Sequence, residues 1–226
     1  MRVIDKKAIK PPALKEGDSI GIFSPSEPLT PERQRRLEKG IELLESLGFK
    51  VVVGRNVFKS YYYMAGKPEE RIEDFHNLIV NPNIKAIMTS WGGRSTNQLI
   101  SLIDYDLVRQ HPKIISGFSD STNLINAIYT ITGLITFHGP NVVGKLAEGP
   151  HTTIEYFKKA FIKGEIGVVK SQLPPKCLRS GKAEGRLIGG NLTCFDLGLI
   201  GTPYQPNFKD TIFFWEAGAR TPQEID

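Results

Sequence analysis

Apolar residues along the first 140 positions follow two alternating rhythms. Short solid runs are separated by longer stretches in which apolar residues recur every three or four positions. The solid runs are Ser19–Phe23, Phe49–Val53, Ile84–Met88, Ile114–Phe118 and Leu134–Phe137, and they predict strands. Between them, Leu37, Ile41, Leu44 and Leu47 share one helical face, as do Ile72, Phe75 and Ile79. Thr30-Pro31-Glu32 supplies a capping hydroxyl and a proline for the first helical position, and Gly48 marks that helix's end. Pro68 opens the second helix and Asn81-Pro82-Asn83 turns the chain after it. Residues 95–103 predict a further helix, and another follows Phe118 as far as Ile131.

Solid apolar runs suit strands buried on both faces. The pattern therefore predicts an α/β fold whose parallel sheet carries helices on both faces. Such sheets bind ligands at the carboxyl ends of their strands. Three of these ends carry small or polar residues: Ser90–Ser95, Gly117–Ser121 and His138–Asn141. The texture changes after about residue 145. His151–Lys163 predicts a helix, Gly164–Gly181 a linker broken by Pro174-Pro175, and Thr211–Trp215 an apolar strand. Between them, Gly185–Gly201 carries Gly189-Gly190-Asn191 and then a short helix. The expected division is a first domain over 1–145, a helix and linker over 146–181, and the beginning of a second, smaller domain over 182–226.

The composition, 40% hydrophobic and 23% charged over 226 residues, is that of a soluble globular protein. Long apolar runs are absent, and Met1–Lys10 lacks the apolar stretch of a signal peptide. A cytoplasmic protein without membrane partners is expected. The net charge of +5 raises the question of nucleic acid. The basic residues are interleaved with acids, four of each between Glu32 and Glu45, which makes a solvated face and no nucleic-acid site. Cys177 and Cys194 form no CxxC, so neither a metal nor a cofactor is expected. Cys194, among Leu192, Phe195 and Leu197, reads as a small buried apolar residue.

Ser119 carries the candidate chemistry. It stands where a strand runs into a helix, in Gly117-Phe118-Ser119-Asp120-Ser121, the geometry of a nucleophile elbow. The usual G-x-S-x-G pattern is half met, because Ser121 replaces the second glycine. The Asp120 N–H, at a helix start, can face a developing oxyanion, and Gly92-Gly93 is the best source of a second donor. The same residues also fit a plain helix cap and a plain turn. A serine nucleophile needs a base. Of His76, His111, His138 and His151, only His138 lies at a strand end near the site, and there a packing or turn role is favoured over that of a base. Glu216, just past the apolar strand, could orient a histidine or simply end the strand.

Eight segments in order resemble the LD-carboxypeptidases, a family that includes the microcin C self-immunity peptidases. They are Leu14–Asp18, Tyr63–Gly66 with Arg71, Ile84–Ile87 leading to Gly92-Gly93, and Gly117–Asp120. Phe137–Pro140, Gly185–Leu192, Gly201–Tyr204 and Ile212–Glu216 follow. The resemblance implies a flavodoxin-like first domain and a smaller β-rich second one, in a cytoplasmic, usually dimeric serine carboxypeptidase using Ser–His–Glu without metal. It makes Ser119 the nucleophile, Glu216 the triad acid, and the Asp120 and Gly93 amides the oxyanion hole. The implied substrate is a small peptide or a peptidyl-nucleotide: the L-to-D bond of murein tetrapeptide or the aspartyl–nucleotide bond of processed microcin C.

Two departures follow. Trp91-Gly92-Gly93-Arg94-Ser95 replaces the Arg-Gly-Gly-Tyr-Gly tendency of the murein enzymes, and Arg94 becomes a candidate partner for a substrate carboxylate. The family's histidine lies downstream of the triad Glu, whereas no histidine here follows His151. The expectation is a C-terminally truncated member, nearly inactive alone and prone to association. The alternative is a non-catalytic module that binds small molecules or peptides in the same cleft.

Overall fold

The computed structural model describes residues 7–169, 174–218, 221 and 223. Five strands form the main sheet: β1 (Ser19–Phe23), β2 (Lys50–Val53), β3 (Ile84–Thr89), β4 (Ile114–Gly117) and β5 (Phe137–His138). Their order is β2-β1-β3-β4-β5 and every pairing is parallel. This is the flavodoxin-like order, whose ligand crevice opens where the chain reverses direction, between β1 and β3.

The helices are α1 (Pro31–Ser46), α2 (Pro68–Val80), α3 (Tyr105–Gln110), α4 (Thr122–Thr132) and α5 (His151–Phe157), the last running into a wider turn over Lys158–Ile162. Local chemistry sets the ends of α1. The Thr30 side chain accepts from the Arg33 N–H with Pro31 in the first turn, and Gly48 takes the left-handed conformation beyond the last turn. Leu37 and Leu44 of α1 pack with Val142, Val143, Phe157 and Phe161 on one face of the sheet. Phe75, Ile79, Val108, Leu124 and Ile128 cover the other. Within β3, Ala86 and Met88 belong to the first cluster and Ile84 and Ile87 to the second, so the strand is buried on both sides.

Two expected elements differ. Residues 95–103 form only a short 3-10 turn at Thr96–Gln98, and the helix of this region is α3. The Ser95 and Thr96 amides are committed to the distant Asp120 carboxylate, while Asp104 caps α3 through the Leu107 N–H. The strand expected at Leu134–Phe137 is β5, shifted to Phe137–His138; Leu134 makes only an isolated bridge to Ile9.

A second sheet pairs β6 (Arg186–Asn191) with β7 (Thr211–Glu216) in parallel, with α6 (Leu192–Leu199) between them. The strand β6 was not among the expected elements. It docks on the first two turns of α4. Asn126 Nδ2 donates to Gly189 O at 3.0 Å, and Asn191 N donates to Thr122 Oγ1 at 2.9 Å. A side chain at Gly190 would collide with Thr122, its Cβ lying 2.6 Å from Oγ1. Ile188, Phe195 and Leu199 close over Ile100 and Ala127 as a third apolar cluster. Leu187, Leu197 and Trp215 stay exposed on this small sheet and its helix.

Candidate active site

Three neighbouring strands, β1, β3 and β4, deliver their following loops to one place. Ser119 begins a short helical turn that leads into α4, and it has a φ of +60°. A non-glycine residue in that region costs about 1–3 kcal/mol and persists only where its surroundings impose it. Here the imposition is the sharp strand-to-helix bend of an elbow. The hydroxyl is half-buried and makes no hydrogen bond among the described residues.

The glycine loop after β3 faces it. A Cβ built on Gly92 would lie 3.2 Å from Ser119 Cβ, 3.3 Å from Ser119 Oγ and 3.6 Å from Asp120 N. Only glycine leaves that volume open to a ligand. Gly92 O accepts from Glu27 N at 3.2 Å. Because the peptide is planar and trans, the Gly93 N–H points to the opposite side from that carbonyl. The Asp120 N–H lies in the first turn of a helical segment, where the helix itself provides no acceptor.

The loop is fixed at both ends. At its start, the Arg33 guanidinium lies 4.7 Å from the Trp91 ring centroid and Arg36 lies 5.8 Å away. Arg33 is held by Glu27 and Arg36 by Glu148. At its end, Asp120 Oδ2 accepts from Ser26 Oγ at 2.6 Å and from the Ser95 and Thr96 amides at 2.9 Å each. Asn141 steadies the elbow from the β5 side. Its Oδ1 accepts from Phe118 N at 3.0 Å and from Thr89 Oγ1 at 2.6 Å.

Glu216 ends β7 and accepts from Asn191 Nδ2 at 2.8 Å. The Asn191 backbone N–H donates to Thr122 Oγ1, three residues past Ser119, so one residue ties the acid to the elbow helix, by its side chain on one side and its backbone on the other. His138 sits between the two halves, its ring 5.2 Å from Phe118 and 5.4 Å from Phe214. Its buried Nδ1 has no hydrogen-bond partner. Burial lowers its pKa below that of free imidazole, and the Glu216 charge opposes the shift.

Among the expected site residues, Ser119, Asp120 and Gly93 come together. Glu216 joins them through Asn191, and Arg94 stands exposed beside Gly93. No histidine is hydrogen-bonded to Ser119. His76 Nε2 accepts from Asp104 N instead, away from the site. Cys194 is not fully buried: it is half-exposed, with Sγ 3.7 Å from Asp120 Oδ1. Sequence reasoning missed Ser26, Arg71, Asn141 and Asn191 as site-building residues. Asn141 and Asn191 lay inside segments already marked as unusual. Arg71 stood in one of the segments that resemble the family but was given no role there, and Ser26 gave no signal by residue type or spacing. Among the described residues, no three His, Cys, Asp or Glu side chains are grouped to hold a metal.

The LD-carboxypeptidase N-terminal domain matches residues 20–139, more than half of the chain, and the C-terminal domain of the same family matches residues 184–226. The chain belongs to the LD-carboxypeptidase family. This is a family of serine-type hydrolases. A probable murein peptide carboxypeptidase of Bacillus subtilis is 36% identical over 220 residues, covering 96% of this chain and 67% of its own length. The microcin C7 self-immunity protein MccF of Escherichia coli is 38% identical over 242 residues, covering 94% of this chain and 70% of its own length. A solved structure of MccF in complex with aspartyl sulfamoyl adenosine has a TM-score of 0.81 and 35% identity, and covers 91% of this chain and 70% of that one. The chain thus spans about two thirds of the length of these relatives.

Proposed function

We propose that Ser119 attacks an amide next to a C-terminal residue, and that the Gly93 and Asp120 amides receive the oxyanion. The observation that carries this is the left-handed Ser119 standing against Gly92, with neither the Gly93 nor the Asp120 amide donating a hydrogen bond among the described residues. In this reading Glu216 orients a histidine base, and Arg94 pairs with the substrate's terminal carboxylate. The substrate is a murein tetrapeptide or an aspartyl–nucleotide conjugate. MccF, bound to aspartyl sulfamoyl adenosine, supports the second class. None of the chain's four histidines is hydrogen-bonded to Ser119, so the base is the one part these residues do not hold in place. Loss of a triad member leaves about 10³–10⁴-fold acceleration over water, and the chain alone should turn over at about that level. We take the compartment to be cytoplasmic and the assembly to be a homodimer.

The second reading is a cleft that binds without hydrolysis, and the missing hydrogen bond to Ser119 favours it. Calorimetry with aspartyl sulfamoyl adenosine and product analysis with murein tetrapeptide separate the two. Slow cleavage abolished by Ser119→Ala, with ligand affinity retained, supports the hydrolase. Binding without any Ser119-dependent cleavage supports the module, and absence of binding by either probe removes both. Arg94→Ala is expected to weaken binding of a free-carboxylate substrate, and unchanged affinity removes that role.

A further inference from the structure

We propose that Arg71 is a positioning residue whose single buried guanidinium sets the glycine loop at its working distance from Ser119. The inference rests on the proposed role of that loop. Arg71 lies on α2 and is only 1% exposed. Its Nη1 donates to Pro25 O at 2.6 Å, Ser95 Oγ at 3.1 Å and Ser95 O at 3.3 Å, and its Nη2 donates to Gln98 Oε1 at 2.7 Å. One fork therefore holds the loop after β1 and the loop after β3 together. The far side of the same two loops is held by Asp120, through Ser26 Oγ, Ser95 N and Thr96 N. Ser26 and Ser95 thus lie between a buried cation and a buried anion that do not touch. The two charges still attract, and Asp120 opposes the loss of basicity that burial imposes on Arg71.

The choice of residue is informative. The same helix buries Ile72, Phe75, Leu78 and Ile79 beside it, and an apolar side chain would enter that environment without the cost of desolvating a charge. A lysine presents one point of charge, whereas the planar guanidinium reaches Pro25, Ser95 and Gln98 from fixed directions at once. Asp120 belongs to the elbow and Ser95 ends the glycine loop. Displacing Ser95 therefore moves Gly92 and Gly93 relative to Ser119, and misplacement on the scale of 1 Å can cost about 10²-fold in an oriented reaction.

The test compares Arg71→Met and Arg71→Lys with wild type in the full chain. Amide hydrogen exchange is resolved at Ser95, Thr96 and the core strands, and calorimetry follows aspartyl sulfamoyl adenosine. Arg71→Met should speed exchange at Ser95 and Thr96 by about tenfold or more while β1, β3 and β4 keep their protection. Its affinity should fall about tenfold, and Arg71→Lys should recover part of both losses. Unchanged exchange at Ser95 and Thr96, or protection lost equally throughout the core, overturns the proposal. Failure of the wild-type chain to bind sinks the functional reading, while the exchange pattern still decides the role of Arg71. Should Arg71→Met not fold, Ser95→Ala removes the hydroxyl's bond to Arg71 and its 3.3 Å contact with Ser26 while leaving the backbone bonds of Ser95. Faster Thr96 exchange then supports the proposal, and wild-type exchange overturns it.

Discussion

Replacing Gly92 by alanine distinguishes a working oxyanion loop from an ordinary turn. Gly92 does not have a positive φ, so alanine fits its backbone and only the added methyl matters. That methyl would stand 3.2 Å from Ser119 Cβ, 3.3 Å from Oγ and 3.6 Å from Asp120 N. A carbonyl carbon poised for attack sits about 3–3.5 Å from its nucleophile. Methyl and acyl group therefore compete for one position. Excluding the carbonyl from the two amides forfeits two hydrogen bonds of about 0.5–1.5 kcal/mol each. The sum, about 1–3 kcal/mol, is a loss of about 5- to 150-fold in affinity. Stability should barely move. Reduced freedom of the unfolded chain gains about 0.4–1 kcal/mol, and the slight crowding of Ser119 costs about 1 kcal/mol. Calorimetric titration with aspartyl sulfamoyl adenosine, beside urea unfolding, measures both quantities. An affinity within threefold of wild type at an unchanged unfolding midpoint would refute the assignment. Gly93→Ala is the contrasting case. At φ +149°, its Cβ would lie 2.6 Å from Glu27 Cγ and 2.9 Å from Glu27 N. It should lose stability along with binding, by about 1–3 kcal/mol from backbone strain alone.

Three other outcomes are expected. Asn141→Leu leaves the Phe118 N–H and the Thr89 hydroxyl without their acceptor, at about 1–3 kcal/mol for each buried group left unpaired; a urea midpoint equal to wild type would contradict the buttress. The folded state resists protonating His138, so the stability this contributes is complete above the ordinary imidazole pKa of 6.5 and is lost as pH falls below it. His138→Gln should flatten that acid limb in urea titrations, and an unaltered limb would assign it to other groups. Leu187 and Trp215, on a sheet of only two strands, are 65% and 53% exposed and Leu197, on the helix between those strands, is 79% exposed, so the chain should self-associate in sedimentation velocity and Leu187→Lys should reduce it; a monodisperse monomer would contradict this.

The main sheet was legible because its central strands β1, β3 and β4 are buried on both faces and therefore read as apolar runs. The second sheet was harder to see. In β6, Arg186-Leu187-Ile188-Gly189-Gly190-Asn191 offers two apolar residues and two glycines, which resembles a turn. The glycines are there because the strand lies against Thr122 and Phe214, a tertiary requirement with no local signature. The expected helix over 95–103 failed for a related reason. Its apolar spacing is real, since Leu99, Ile100 and Ile103 are buried, but the amides at its start are held by a carboxylate some 25 residues away. Arg71 illustrates the same limit. Arginine on a helix is ordinarily a surface residue, and only the fold shows that two loop carbonyls, a hydroxyl, a side-chain amide and a thioether surround this one.

The half-met elbow motif has a physical answer in these contacts. A G-x-S-x-G pattern keeps small residues on both sides of the serine because those two positions meet as the chain doubles back. Here a Cβ on Gly117 would run into the Ser121 side chain, 2.9 Å from its Oγ, and would lie 3.0 Å from Thr89 Oγ1. With Gly117 bare, the position opposite can carry a side chain, and the Ser121 hydroxyl uses the room to donate to Thr89 Oγ1 at 3.2 Å. Thr89 in turn donates to Asn141, which accepts from the Phe118 amide. The residue that breaks the motif thus begins a hydrogen-bond chain that returns to the peptide before Ser119. The elbow needs one glycine for its close approach, and it turns the second position into part of its own support.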